Sequence, residues 1–199
     1  MLTSNLTIDI PINTIFNTPT IKLAPLTILT GCNNTGKTTI LKNIKEWYPL
    51  KSHYIKYCKW YKWKECSSFL FDMGQNIFNY NFNILEQPEC GLHPILQLEI
   101  ADKIIELAHR SLFTIVETHS DHIINRLTRR YVEGVIGDKD MIIYHLTRES
   151  TQKTKINQVF INKKEGIICE NRSFFYQAAE ETEAIIDRCY RNIQKEKNQ

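Results

Sequence analysis

The run Gly31-Cys32-Asn33-Asn34-Thr35-Gly36-Lys37-Thr38 fits G-x-x-x-x-G-K-[ST] at every fixed position and constrains the chain more than any other stretch. Such a run works only between a strand and a helix. Its glycines let the backbone curl, so that successive N–H groups face phosphate oxygens, and the following helix turns its positive end toward them. Both neighbours are legible. Leu26 to Thr30 is an apolar run that reads as a buried strand, and Ile40, Leu41, Ile44 and Trp47 recur at helical spacing after Lys37. The predicted phosphate-binding set is Gly31, Asn33, Asn34, Thr35, Gly36, Lys37, Thr38 and Thr39. Lys37 supplies a point charge for the β- and γ-phosphates of ATP, and Thr38 offers its hydroxyl to magnesium.

The rest of the chain supports an α/β fold with a mainly parallel sheet flanked by helices in three layers. Phe82 to Leu85 and Leu112 to Val116 read as buried strands. Between them, Pro94 opens a helical pattern carried by Ile95, Leu98, Ala101, Ile105 and Ala108. Asp121 to Tyr131 reads as a further helix. Met141 to Leu146 and Ile156 to Ile161 read as strands joined in a hairpin, and residues from about 173 to 199 as a terminal helix. Alternation of strands and helices implies parallel pairing. At 199 residues the chain is expected to form one domain over 1–199. A net charge of +3 is too small to argue for a nucleic-acid partner. Six scattered cysteines with no C-x-x-C pair read as reduced thiols, and no apolar run is long enough to span a bilayer. The expectation is a cytoplasmic protein with no membrane contact.

A phosphate loop needs a carboxylate for magnesium and a group that orients the attacking water. Glu86 ends the Phe82 strand in Glu86-Gln87-Pro88-Glu89, which predicts that it emerges at the carboxyl edge of the sheet beside the loop, with Thr38 as the second metal-site residue. His119 follows the Leu112 strand in Glu117-Thr118-His119-Ser120 and is predicted at the same edge, as a neutral imidazole within reach of the γ-phosphate or water. Ser120 between His119 and Asp121 suggests a hydrolase triad only superficially, since no nucleophile elbow surrounds it.

Together, N-N-T-G-K-T-T, E-Q-P-E-x-x-L-H-P and E-T-H-S-D-H-I-I-N-R-L resemble the ABC-type AAA ATPases related to the OLD and RecF proteins. The likeness is strongest to a bacterial subgroup with an E-Q-P-E box, whose G-F-F-x-Q tail is similar to Ser173-Phe174-Phe175-Tyr176-Gln177. It covers about 20–48 and 82–180. The resemblance implies an ABC-type ATPase core, with a Walker B carboxylate at Glu86, a D-loop region at Gly91 to Pro94, and a switch histidine at His119. It also implies a homodimer or a complex with an effector chain, working in DNA repair or phage defence. The chain departs from that pattern between the two Walker boxes, where about 50–81 replaces the usual arm. Asp72-Met73-Gly74-Gln75 is the remnant of a signature without its serine. At the catalytic glutamate position stands Gln87, whose amide can orient water but cannot take its proton, so general-base help falls to Glu89 or is absent. Slow hydrolysis, or none, is therefore expected. The alternatives are a regulatory or structural subunit that binds ATP without hydrolysing it and a small P-loop kinase.

Between the boxes, His53 to Lys64 interleaves aromatics and lysines. Core packing with snorkelling lysine stems is the favoured reading. The alternative is contact with DNA through Lys56, Lys59, Trp60, Lys62, Trp63 and Lys64, by stacking beside cations. Glu180, Glu181 and Glu183 read as a solvated helix face. No His, Cys and carboxylate set has the spacing of a transition-metal site.

Overall fold

The computed structural model describes residues 6–9, 16, 20–47, 55–59, 82–149, 153–168 and 177–197. The chain divides into two compact units, Met1–Ile168 and Cys169–Gln199. In the first unit, β1 (Leu6–Asp9) and β2 (Thr20–Leu23) pair antiparallel as a small separate sheet. The main sheet has seven strands: β3 (Leu26–Gly31), β4 (Ile55–Lys59), β5 (Phe82–Glu86), β6 (Phe113–Glu117), β7 (Met141–Arg148), β8 (Thr154–Asn162) and β9 (Gly166–Ile168). Their order across the sheet is β4-β5-β6-β3-β7-β8-β9. From β4 to β7 every pairing is parallel; β8 and β9 extend the sheet antiparallel, which makes β7 and β8 the expected hairpin.

The α/β reading stands, and the connections explain its three layers. Helix α1 (Lys37–Trp47) follows β3, α2 (Pro94–Arg110) joins β5 to β6, and α3 (Asp121–Val132) joins β6 to β7. Crossovers between parallel strands are almost always right-handed. The moves β5 to β6 and β6 to β7 run in one direction across the sheet, and β3 to β4 runs in the other. That places α2 and α3 on one face and α1 on the opposite one. Burial agrees. On one face Ile40, Leu41 and Ile44 of α1 join Leu29, Ile84, Ile115 and Leu146 in a single apolar cluster. The alternating residues Ile28, Leu85, Val116 and Ile143 are buried as well, as are Ile100, Ile104 and Leu127 of α2 and α3. A strand covered on both sides reads as continuous apolar sequence, which is why β3, β5 and β6 are buried at every position.

Helices α2 and α3 are also tied by charge. Arg126 and Arg130 of α3 both reach Asp102 of α2, at 2.7 and 2.9 Å. Their hydrogen bonds hold the Asp102 carboxyl at about 2, below its usual 3.8. A depressed carboxyl stabilises the fold above its unfolded value, and the gain disappears as pH falls from 3.8 through about 2. Because the Asp102 side chain is 32% exposed, solvent screening reduces the contribution to about 1 kcal/mol. Asp102→Asn should therefore lower the melting temperature by about 2–4 °C at pH 7 and by less at pH 3, read by circular dichroism.

The second unit carries α4 (Gln177–Lys197). Glu180, Glu181 and Glu183 are exposed on it, as expected. Among the described residues no helix is long and apolar enough to cross a membrane.

Candidate functional site

The loop after β3 has the backbone its sequence requires. Gly31 sits at φ +134° and Gly36 at φ +85°, both in the region that favours glycine, and Asn34 at φ +62° uses the tolerance of asparagine for it. Gly31 is doubly constrained, because β7 runs beside it in register with Leu146 and an added Cβ would strike the Leu146 carbonyl. Gly31→Ala should cost about 3 kcal/mol or more of stability and show it as an earlier midpoint in urea. A midpoint within error of the parent would contradict the geometry.

Lys37 lies over this loop. Its ammonium donates to the Gly31 carbonyl at 2.9 Å, the Cys32 carbonyl at 2.7 Å and the Thr35 hydroxyl at 3.4 Å. Thr35 in turn donates to Cys32 O at 2.9 Å, and Thr154 of β8 donates to Thr35 O at 3.0 Å, so the loop is fastened from within and from the hairpin. Burial lowers the proton affinity of Lys37, against which the charges of Glu117, Cys32 and Glu89 pull upward. A phosphate beside it would relieve that burial cost by pairing the charge.

Beside the loop, a cleft of about 490 Å³ is lined by Asn34, Gly36, Lys37, Thr38, Thr39, Glu117, Arg148 and Thr154. Most of the expected phosphate-binding residues meet there. Glu117 joins them, though no motif position in the sequence singles it out. Its carboxylate accepts the Thr38 hydroxyl at 3.2 and 3.4 Å through its two oxygens.

Two carboxylates thus end neighbouring strands at this edge, Glu86 on β5 and Glu117 on β6. Glu86 was expected beside the loop, yet β6 lies between β5 and β3, and Glu117 rather than Glu86 stands in register with Leu29. Glu86 pairs with Glu117 across the next strand and is itself buried, and it does not line the cleft. Strand order puts Glu117 one strand away from β3 and Glu86 two, and chain order does not say which strand adjoins the loop. The signal for Glu117 was present all the same, as the carboxylate ending the apolar run Phe113 to Val116.

His119 reaches the same edge. Its imidazole meets the Gly31 carbonyl, while burial and the Lys37 charge lower its proton affinity and keep it neutral near pH 7. Gln87 takes φ +52°, a strained conformation for a residue with a Cβ, and its N–H donates to Glu117 O at 2.8 Å. Glu89 was expected to act as the base that Gln87 cannot be. Both of its oxygens are engaged: one accepts the Thr118 hydroxyl at 2.9 Å, the other the His119 N–H at 2.7 Å. Its proton affinity is raised by burial, against which those bonds and Lys37 act. Glu89 is thereby tied to the backbone at the end of β6, where the chain turns into His119. Neither Gln87, Glu89 nor His119 lines the cleft. Ser120 caps α3 by accepting the Ile123 N–H at 3.1 Å and donates to Gln97, which gives it a structural task.

The residue types suit a magnesium nucleotide. A buried lysine over a glycine-bearing loop suits phosphate oxygens, while a hydroxyl and a carboxylate in contact are hard oxygen donors that leave further positions for phosphate and water. Lys56 and Lys59 lie on β4, while Trp60, Lys62, Trp63, Lys64 and the segment Asp72 to Gln75 fall outside the described residues.

No protein-family model matches the chain, and no curated protein matches it. Among solved structures, it is similar to an ATP-binding cassette of an ABC transporter in its ADP conformation, at 12% identity and a TM-score of 0.46, over 73% of this chain and 84% of that one. A second, twinned structure of the same cassette gives 13% identity and a TM-score of 0.44, over 70% of this chain and 82% of that one.

Proposed function

We propose that this chain binds ATP with magnesium as an ABC-type ATPase module of the OLD and RecF kind. The observation that carries the reading is Lys37 held in the Gly31 to Thr38 loop while the Thr38 hydroxyl meets the Glu117 carboxylate. Each residue then has a task. Loop amides and Lys37 hold the β- and γ-phosphates, Thr38 and Glu117 hold the metal, and neutral His119, set by Glu89, faces the terminal phosphate or its attacking water. The metal supplies charge neutralisation at the phosphate oxygens. Gln87 orients water without accepting its proton, so turnover is slow. Two copies, or one copy and an effector chain, would work together in DNA repair or phage defence, with a DNA-contacting role left to the Lys56 to Lys64 segment.

Phosphate release under saturating magnesium and ATP tests this. Wild type is expected to turn over slowly, and Lys37→Ala not at all. The second reading, a subunit that binds ATP without hydrolysing it, is favoured by Gln87 alone. It wins if wild type binds ATP but releases no phosphate and Gln87→Glu creates activity. Transfer to an added acceptor in preference to water would point to a small P-loop kinase.

A further inference from the structure

Strand order places β6 and β7 on either side of β3, so the phosphate loop is flanked by one wall from each. The β6 wall carries Glu117. The β7 wall carries a charge of opposite sign. Leu146 stands in register with Gly31, so β7 runs two residues further along the loop's flank and ends at Arg148, which lines the cleft together with Lys37, Thr38 and Thr39. Arg148 is exposed and forms no salt bridge among the described residues, although Arg126, Arg129 and Arg130 all do. Its backbone is fixed, because it pairs with Thr154, and Thr154 is the buried residue whose hydroxyl holds the Thr35 carbonyl of the loop. One hairpin thus fastens the loop and presents a guanidinium beside it.

Charge balance gives that guanidinium a use. A magnesium-bound triphosphate keeps about two negative charges, Glu117 adds another on the metal side, and Lys37 is the one cation within the loop itself. A planar guanidinium suits two phosphate oxygens at once and stays charged at any working pH. We propose that Arg148 is a nucleotide-binding residue that contacts the phosphate chain in cis from the β7 side, opposite the metal. This rests on the ATP-binding reading above and deepens it.

Affinities of ATP and ADP, measured by calorimetry over a range of salt concentrations for wild type, Arg148→Ala, Arg148→Gln and Arg148→Lys, test it. Arg148→Ala and Arg148→Gln should bind nucleotide about 10-fold more weakly or worse, with a shallower salt dependence, and Arg148→Lys should recover part of the loss. Melting temperatures without nucleotide should stay at the wild-type value, since the side chain is exposed. Affinities within twofold of wild type in both neutral variants would overturn the assignment and leave ATP binding intact. A loss that Arg148→Lys does not reduce, with an unchanged salt dependence, would also overturn it. If wild type itself binds neither nucleotide, the ATP-binding reading fails first and takes this one with it.

Discussion

Replacing Lys37 by alanine should abolish ATP binding, with affinity falling by about 100-fold or more in a fluorescent-nucleotide titration. The side chain is 4% exposed, so its charge stays buried and pairs with carbonyl oxygens of Gly31 and Cys32 as the nearest substitutes for phosphate. Losing it removes the principal cation that faces the β- and γ-phosphates. Stability should respond in the opposite sense or not at all, since a buried ammonium with partial compensation is costly to keep. A variant that melts at or above the wild-type temperature yet binds no nucleotide is the expected result. Binding within threefold of wild type would mean that the loop does not hold phosphate.

The second large effect concerns the metal. Glu117→Gln should reduce ATP affinity in magnesium to the level seen with a chelator and lower any turnover by about 100-fold, because an amide replaces the carboxylate that meets Thr38. Glu86→Gln should be much milder on magnesium dependence, since Glu86 neither lines the cleft nor belongs to a strand adjoining β3. Titrating magnesium at fixed ATP for the two variants side by side separates them. If Glu86→Gln loses the magnesium response and Glu117→Gln keeps it, the carboxylate assignment returns to Glu86. Thr38→Val should follow Glu117→Gln in direction, since it removes the hydroxyl of the same pair.

Much of the site is legible in the sequence. The loop from Gly31 to Thr38 was legible because its requirements are local: φ values that suit glycine, a lysine of fixed reach, and a strand and a helix directly adjoining in the chain. Helices α2 and α3 were legible for the same reason, through Pro94 at the first helical position and apolar residues at helical spacing. Short strands were not. β1, β2 and β9 are three or four residues long, too few for alternation to distinguish a strand from a turn. Glu89 shows another limit. The sequence shows it as a carboxylate near a catalytic position, and only the tertiary structure shows that each of its oxygens also accepts a hydrogen bond, from Thr118 and from the His119 backbone.

By itself, then, the sequence determined that a glycine-bearing turn of the phosphate-loop pattern exists, what flanks it, and which residue types could serve it, because each of those depends on residues close together in the chain. Tertiary structure decided which carboxylate meets Thr38 and which cation lines the opposite wall. Both answers come from strand order: β6 and β7, not β5, adjoin β3, so Glu117 and Arg148 reach the loop from positions far from it in sequence. Burial on both faces marks β3, β5 and β6 as apolar runs, but a run does not say which strand it pairs with, because that depends on segments far apart in the chain.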